Sequence, residues 1–173
     1  MCYGPLCYGK IAEKLLVLRY KIEEGYAFSA SRRFEGVGSG VAVDVFFENP
    51  SGSGKKANIV IIEVVSMAQA HVDIYRGNGV ASPGTAITPV NLNLGSTNTS
   101  VVNVRYGGTY MLGDLALSTV CPGGSRLRAV GGAVEVGETV LVPEDRNLLV
   151  RVTNASASDT DLSVRIIWWE EAA

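Results

Sequence analysis

From residue 26 onward, short runs of β-favourable residues recur between clusters of Gly, Pro, Asn and Ser. Val, Ile, Phe, Tyr and Trp suit a pleated, half-buried surface, while Gly, Pro, Asn and Ser supply the backbone angles of tight turns. The runs predict strands near 26–34, 40–48, 57–66, 69–76, 100–106, 110–117, 133–142, 147–153 and 161–169. Turn chemistry separates them at Asn49-Pro50-Ser51-Gly52-Ser53-Gly54, Arg76-Gly77-Asn78-Gly79, Ser82-Pro83-Gly84, Cys121-Pro122-Gly123-Gly124 and Val142-Pro143-Glu144-Asp145. That many strands on one body imply a sandwich or a barrel.

Alternation is explicit in several runs. Val41, Val43, Val45 and Phe47 share one face and Ala42, Asp44 and Phe46 the other. In the last run Leu162, Val164, Ile166 and Trp168 oppose Asp161, Ser163, Arg165, Ile167 and Trp169. The adjacent tryptophans therefore point to opposite faces, so that one anchors the core and the other lies on a surface open to a partner. Ile59 to Val65 is almost wholly apolar and reads as a strand buried on both faces or set in a tightly packed sheet. Residues 79–99 hold only short candidate strands and are expected to cross one end of the body as an ordered loop.

The first 25 residues break this pattern and form a separate N-terminal arm or docking segment, leaving 26–173 as the sandwich domain. MCYGPLCYG at 1–9 has no periodicity. Residues 10–24 fit two templates: Ile11, Leu15, Leu18 and Ile22 form a helical stripe, whereas Leu16, Leu18, Tyr20 and Ile22 alternate as in a strand. Periodicity does not choose between them.

With 173 residues the chain suits one domain. Fifteen basic and seventeen acidic residues give a formal charge of −2, which provides no field for nucleic acid or an acidic membrane surface. No run approaches the roughly 18–20 apolar residues of a membrane span, and the first residues lack the pattern of a secretory leader. Cys2, Cys7 and Cys121 are an odd set that excludes a full disulfide framework, and together with the single His71 they match no common zinc spacing.

Four motifs invite chemical readings. Ser51-Gly52-Ser53-Gly54-Lys55-Lys56 is phosphate-loop-like, but Asn49 stands where the motif needs Gly and Lys56 where it needs Ser or Thr. His71 and Asp73 share a strand face and would orient a base, yet no nucleophile elbow accompanies them. Asn154, Asp159 and Asp161 offer oxygen ligands for calcium without EF-hand spacing. Asn98-Thr99-Ser100 and Asn154-Ala155-Ser156 are glycosylation sequons. A solvated hairpin, a surface histidine, a polar turn and chance triplets account for these features, and neither a catalytic residue nor a cofactor or metal site is expected.

A resemblance is carried by FSASRRFEG (28–36), ENPSGSGKK (48–56), VDIYRGNG (72–79), GTAITPVNLNLGSTNTSVVNVRYGGTY (84–110) and VPEDRNLLVRVTNASASDTDLSVRIIWWEE (142–171). Across about residues 26–171 the chain resembles virion-associated β-sandwich proteins, the head-decoration and head-fibre proteins of tailed phages and related prokaryotic viruses. The resemblance implies an all-β fold, an antiparallel, jelly-roll-like β-sandwich with an N-terminal arm. It also implies a non-enzymatic structural role at the virion surface. The expected partners are copies of the chain itself, as a homo-oligomer, and a major capsid protein, with no nucleic acid and no membrane insertion. The expected assembly interface comprises Cys2, Tyr3, Cys7, Tyr8, Leu15, Leu18, Ile22, Trp168 and Trp169, together with sheet edges that offer backbone pairing. Whether Trp168, Trp169 and Phe46 are covered by a neighbour or by the chain's own core stays open from sequence. Two other readings compete: a subunit of an extracellular filament built by strand donation, and a glycan-binding module using Tyr75, Tyr106 or Tyr110.

Overall fold

The computed structural model describes residues 16–123, 130–132 and 140–173. A short helix, α1, spans residues 16–23. The strands that follow are β1 (Ala27–Val37), β2 (Ala42–Asn49), β3 (Lys55–Ser66), β4 (Ala70–Arg76), β5 (Gly79–Ser82), β6 (Thr85–Ile87), β7 (Val90–Asn91), β8 (Asn103–Tyr106), β9 (Thr109–Met111), β10 (Asp114–Cys121), β11 (Val130–Gly132), β12 (Val140–Val142), β13 (Arg146–Asn154) and β14 (Thr160–Ala172).

Their pairing has one governing pattern. β1 pairs with β14, β2 with β13, β3 with β11 and β12, and β4 with β10, all antiparallel. These are the rungs of one long hairpin whose turn is the β4–β10 connection. Successive rungs fall alternately into two sheets, β7–β1–β14–β3 with β11 and β12 on the far side of β3, and β10–β4–β13–β2–β8–β6. A long antiparallel hairpin rolled over itself in this way is a jelly-roll sandwich.

The core follows the two-residue period of the strands. Phe28, Ala30, Val164, Ile166 and Trp168 from one sheet face Val45, Phe47, Val72, Val150 and Val152 from the other. Trp168 is its largest member. Its indole lies 5.1 Å from Phe47, edge-on at 90°, and 6.1 Å from Phe28. Burying an aromatic of this size removes roughly 150–250 Å² from water, worth about 4–6 kcal/mol as an upper bound.

Phe46 points away from that core and is nonetheless fully buried. The cause is a third layer. β5 and β9 form a two-stranded ribbon, and Tyr110 of β9 stacks on Phe46 at 4.7 Å and 15°, in a cluster with Leu149 and Tyr75. The Tyr110 hydroxyl donates to the Pro83 carbonyl at 2.9 Å, and burial, with the Asp44 charge second, pushes its phenol pKa up. On the same sheet face Arg151 grips Asp44 through two hydrogen bonds of 2.8 and 2.7 Å, which raise the pKa of the guanidinium further.

Three expectations need correction or narrowing. Of the two settings open to Ile59–Val65, the strand lies within a sheet, paired with β14 on one side and β11 and β12 on the other, and is not buried on both faces: Ile59, Ile62 and Val64 are in the core, whereas Ile61 is exposed and Val60 and Val65 are half-buried. β-branched residues fit the pleat on a solvent face as well as in a core, so the run reflected strand propensity rather than two covering layers. The run expected at 110–117 is broken at Gly113, where a Cβ would lie 2.0 Å from the Arg76 carbonyl oxygen and where Asn78 Oδ1 accepts the backbone N–H at 3.0 Å. The strand expected at 100–106 begins only at Asn103. Most of the run expected at 133–142 lies outside the described residues, and 140–142 is β12.

Fully buried asparagines close the ends of the sandwich. Asn154 donates to the Val37 and Ser158 carbonyls, both at 2.8 Å, while its Oδ1 accepts from Ser156 N at 2.9 Å and Ser156 Oγ at 2.7 Å. Asn49 donates to the Lys55 and Val142 carbonyls at 2.8 and 3.0 Å. Losing such an amide strands several buried backbone groups at about 1–3 kcal/mol each, less what water recovers. Asn154→Ala is therefore expected to destabilise the chain by about 2–3 kcal/mol in urea unfolding. A loss under about 0.5 kcal/mol would show that these bonds do not hold the β13–β14 turn.

Candidate assembly surface

The helical template is the one that residues 16–23 adopt, and local pairs support it. Arg19 meets Glu23 at 3.0 Å at i,i+4, and Lys21 meets Glu24 at 3.0 Å. The helix ends in a Schellman cap: Gly25 N–H donates to the Ile22 carbonyl and Tyr26 N–H to the Lys21 carbonyl, both at 2.9 Å. Gly25 has φ +75°, and a Cβ there would lie 2.3 Å from Ser96 Oγ. Only glycine fits this junction.

The loop carrying the TPVNLNLGSTNTS motif is the socket for that cap. Asn91 and Asn98 both donate to the Gly25 carbonyl, at 2.9 and 3.2 Å. Asn93 donates to the Glu23 carbonyl at 3.1 Å, and the Leu92 N–H donates to Ala27 O at 2.9 Å. The carbonyls left over at a helix C-terminus are thus taken by side-chain amides of a distant segment. Glu170, also buried, ties the far end of the same loop down, accepting from Ser100 Oγ at 2.5 Å, Val101 N at 3.3 Å and Trp168 Nε1 at 3.1 Å.

Leu18, Lys21 and Ile22 are the half-buried side of α1, with the Lys21 ammonium 5.6 Å from the centre of the Trp169 ring. The other side is apolar as well. Leu16 is 64% exposed, Tyr20 58% and Val17 40%, while Leu94, next to the Asn93 that holds Glu23, is 89% exposed. A helix that only packed on the sandwich would need one apolar stripe. α1 carries a second.

Of the expected interface residues, Cys2, Tyr3, Cys7, Tyr8 and Leu15 lie outside the described residues. Leu18 and Ile22 face inward, and Trp169 is half-buried under Lys21. Trp168 and Phe46 belong to the chain's own packing, not to a surface. The outward residues are Leu16, Val17 and Tyr20, apolar members of 11–22 that the helical stripe of Ile11, Leu15, Leu18 and Ile22 does not single out. The available signal was that five of the seven residues 16–22 are apolar, too many for one stripe.

The chemical motifs have structural occupations. Gly52 N–H and Gly54 N–H of the phosphate-loop-like turn donate to the Glu144 carboxylate, the latter at 3.3 Å. Asp73 accepts from Ser118 Oγ at 2.6 Å, and among the described residues no hydrogen bond links it to His71. Asp161 accepts from Gly36 N at 3.0 Å, and Asn154 is buried and fully committed, as a glycan acceptor could not be. No group of three His, Cys, Asp or Glu suited to a metal occurs among the described residues. Cys121 is a free, buried thiol. Tyr110 is covered by Phe46, Tyr75 packs on the same cluster, and Tyr106 lies under the Arg32 guanidinium at 4.3 Å, so none of the three offers a bare ring for stacking.

The sheet edges differ in how they are finished. β1 is capped by β7 at Phe28 and Ser29, and farther along it Arg32, at a core-facing register position opposite Val164, reaches over Tyr106. A charge held at an edge in this way discourages strand addition. β2 is covered by β8, and β8 by the three-residue β6. β10 pairs with β4 on one side, and among the described residues nothing pairs with the other.

No protein-family model matches the chain, and a search of curated proteins finds no similar sequence. Gly25→Ala tests whether the cap positions α1: it is expected to cost about 1–2 kcal/mol from the left-handed backbone alone, more with the Ser96 clash, and so to lower the melting temperature by several degrees. Ser96→Gly in the same chain should recover the steric part only. An unchanged melting temperature in Gly25→Ala would remove the cap from the account.

Proposed function

We propose that the chain is a non-enzymatic virion structural protein, a capsid decoration or fibre subunit at the particle surface. It assembles with copies of itself and with a major capsid protein through the N-terminal segment and the sheet edges. The observation that carries this reading is the helix with two apolar sides: α1 is fixed to the sandwich through Leu18, Lys21 and Ile22 and turns Leu16, Val17 and Tyr20 outward. Contiguous exposed apolar groups on a well-anchored element mark protein interaction sites. The jelly roll supplies the rigid body that such a subunit displays, as it does in viral capsid and lectin domains. The nearly neutral charge suits partners that are protein surfaces rather than polyanions.

The double variant Leu16→Asp, Tyr20→Asp separates assembly from folding. Both residues are exposed, so thermal stability should change by less than about 0.5 kcal/mol, while the amount of the chain that co-sediments with purified particles should fall at least about tenfold. Undiminished incorporation of the folded variant would overturn the role given to α1.

A further inference from the structure

We propose that the outer edge of β10 pairs antiparallel with β10 of a second copy, so that the sheet containing β10, β4, β13 and β2 runs continuously through two chains. This names the edge and the partner for the sheet-edge part of the assembly reading, and of that reading it takes only the premise that copies associate.

Exposure is the first argument. β10 is a full eight-residue strand at a sheet edge, yet every residue from Asp114 to Val120 is exposed. Leu115 is 55%, Leu117 41% and Val120 50% exposed, and Met111 and Leu112 immediately before the strand are exposed as well. A long apolar edge strand of this kind is a template for another chain. The β1 and β8 edges carry short covering strands and an edge arginine, and among the described residues β10 has neither.

Charge selects a second copy as the occupant. Asp114 is the only charged residue in the strand, and it already lies 3.6 Å from Arg76 of β4. From Leu115 to Cys121 there is none, so self-pairing sets no charge against its own image. An acidic or basic partner strand would find nothing to pair with here. The order of the strand makes the symmetry specific. A bulge falls between Leu115 and Leu117, and Leu117 to Cys121 then pair regularly with Ile74 to Ala70 of β4. A two-fold axis normal to the sheet must pair residues of equal facing, so it passes through a residue rather than between two. Centred on Thr119, it uses the whole regular stretch: Thr119 meets its own image, Ser118 meets Val120 and Leu117 meets Cys121. Thr–Thr and apolar cross-strand pairs are favourable. The two Asp114 carboxylates then lie on the order of 30 Å apart along the strands, beyond the screening length of physiological salt.

The experiment is sedimentation equilibrium of the full chain across a concentration series, with reductant present so that thiols play no part. The wild type should show a monomer–dimer equilibrium. Thr119→Lys, which sets two ammonium groups against each other on the axis, should raise the dimer Kd at least about tenfold with an unchanged melting curve. Amide exchange of residues 117–121 should slow as wild-type concentration rises, and should not do so in Thr119→Lys. A wild type that stays monomeric at every concentration, or a folded Thr119→Lys that dimerises as well as wild type, overturns the proposal. If Leu16→Asp, Tyr20→Asp abolishes the dimer while Thr119→Lys keeps it, α1 is the contact between copies: the β10 proposal fails and the reading of α1 stands. If Thr119→Lys dissociates the dimer while Leu16→Asp, Tyr20→Asp still enters particles, the β10 proposal stands and the role of α1 fails.

Discussion

Glu170 is where the core, the long connection and the N-terminal segment meet. A carboxylate only 3% exposed must be satisfied by donors to be tolerated. Here the donors come from three places: the indole N–H of Trp168 in the core, the hydroxyl of Ser100, and the N–H of Val101 in the connection. The Glu170 backbone N–H in turn donates to the Tyr26 carbonyl at 2.9 Å, immediately after the helix cap. The same group therefore completes the one polar atom of the largest core side chain and fastens the loop that holds α1. Hydrogen bonds to a charged acceptor are the strong ones, and a side chain whose rotamer is fixed by packing loses little entropy in making them. Trp168 and Glu170 each make the other's burial affordable.

Around that point the polar side chains divide the work by position. Asn49, Asn154 and Glu144 serve turns at the ends of the rolled hairpin, where backbone carbonyls and amides leave the sheet ladder and still need partners. Asn91, Asn93 and Asn98 do the same for the last turn of the helix. These boundaries are closed by an amide or carboxylate from a remote segment, which couples the turns to one another. The two turns at 16–23 would be marginal in water alone, and the C-terminus of α1 is held from outside.

Local pattern made the strands legible, and it failed where the answer depends on what lies on the other side. Val45 and Phe47 could be assigned to one face from alternation alone. That Phe46 is equally buried depends on Tyr110, more than sixty residues away, folding back over the outer face. Ile61 looks like a core residue in sequence and is exposed because, among the described residues, no layer covers that face of β3. The asparagine-rich motif was recognisable as a motif, but its purpose was not, because its partner is a backbone carbonyl and any residue has one. For residues 10–24 the helical and strand periods are equally good, and over 16–23 the helix is the one adopted, closed by the cap at Gly25. The assembly candidates suffered most. A pattern distinguishes apolar from polar positions, whereas an interface is an apolar position left uncovered, and covering is a property of the whole fold.

The edges of the two sheets show how the fold and the proposed role fit together. A jelly roll always leaves open strands, since rolling a hairpin closes neither sheet. This chain uses the insertion between β4 and β10 to shield one side, where β6, β7 and β8 come from the same connection that grips the helix. β10, at the opposite end of the sheet from β8 and β6, carries leucine and valine rather than lysine or proline, and among the described residues no strand covers it. A sequence selected only for a soluble monomer would place charge there, at little cost to stability, as it does with Arg32 on β1. Apolar residues on the uncovered edge and on the outward side of α1 are the same departure made twice, and assembly with protein surfaces gives both a physical reason.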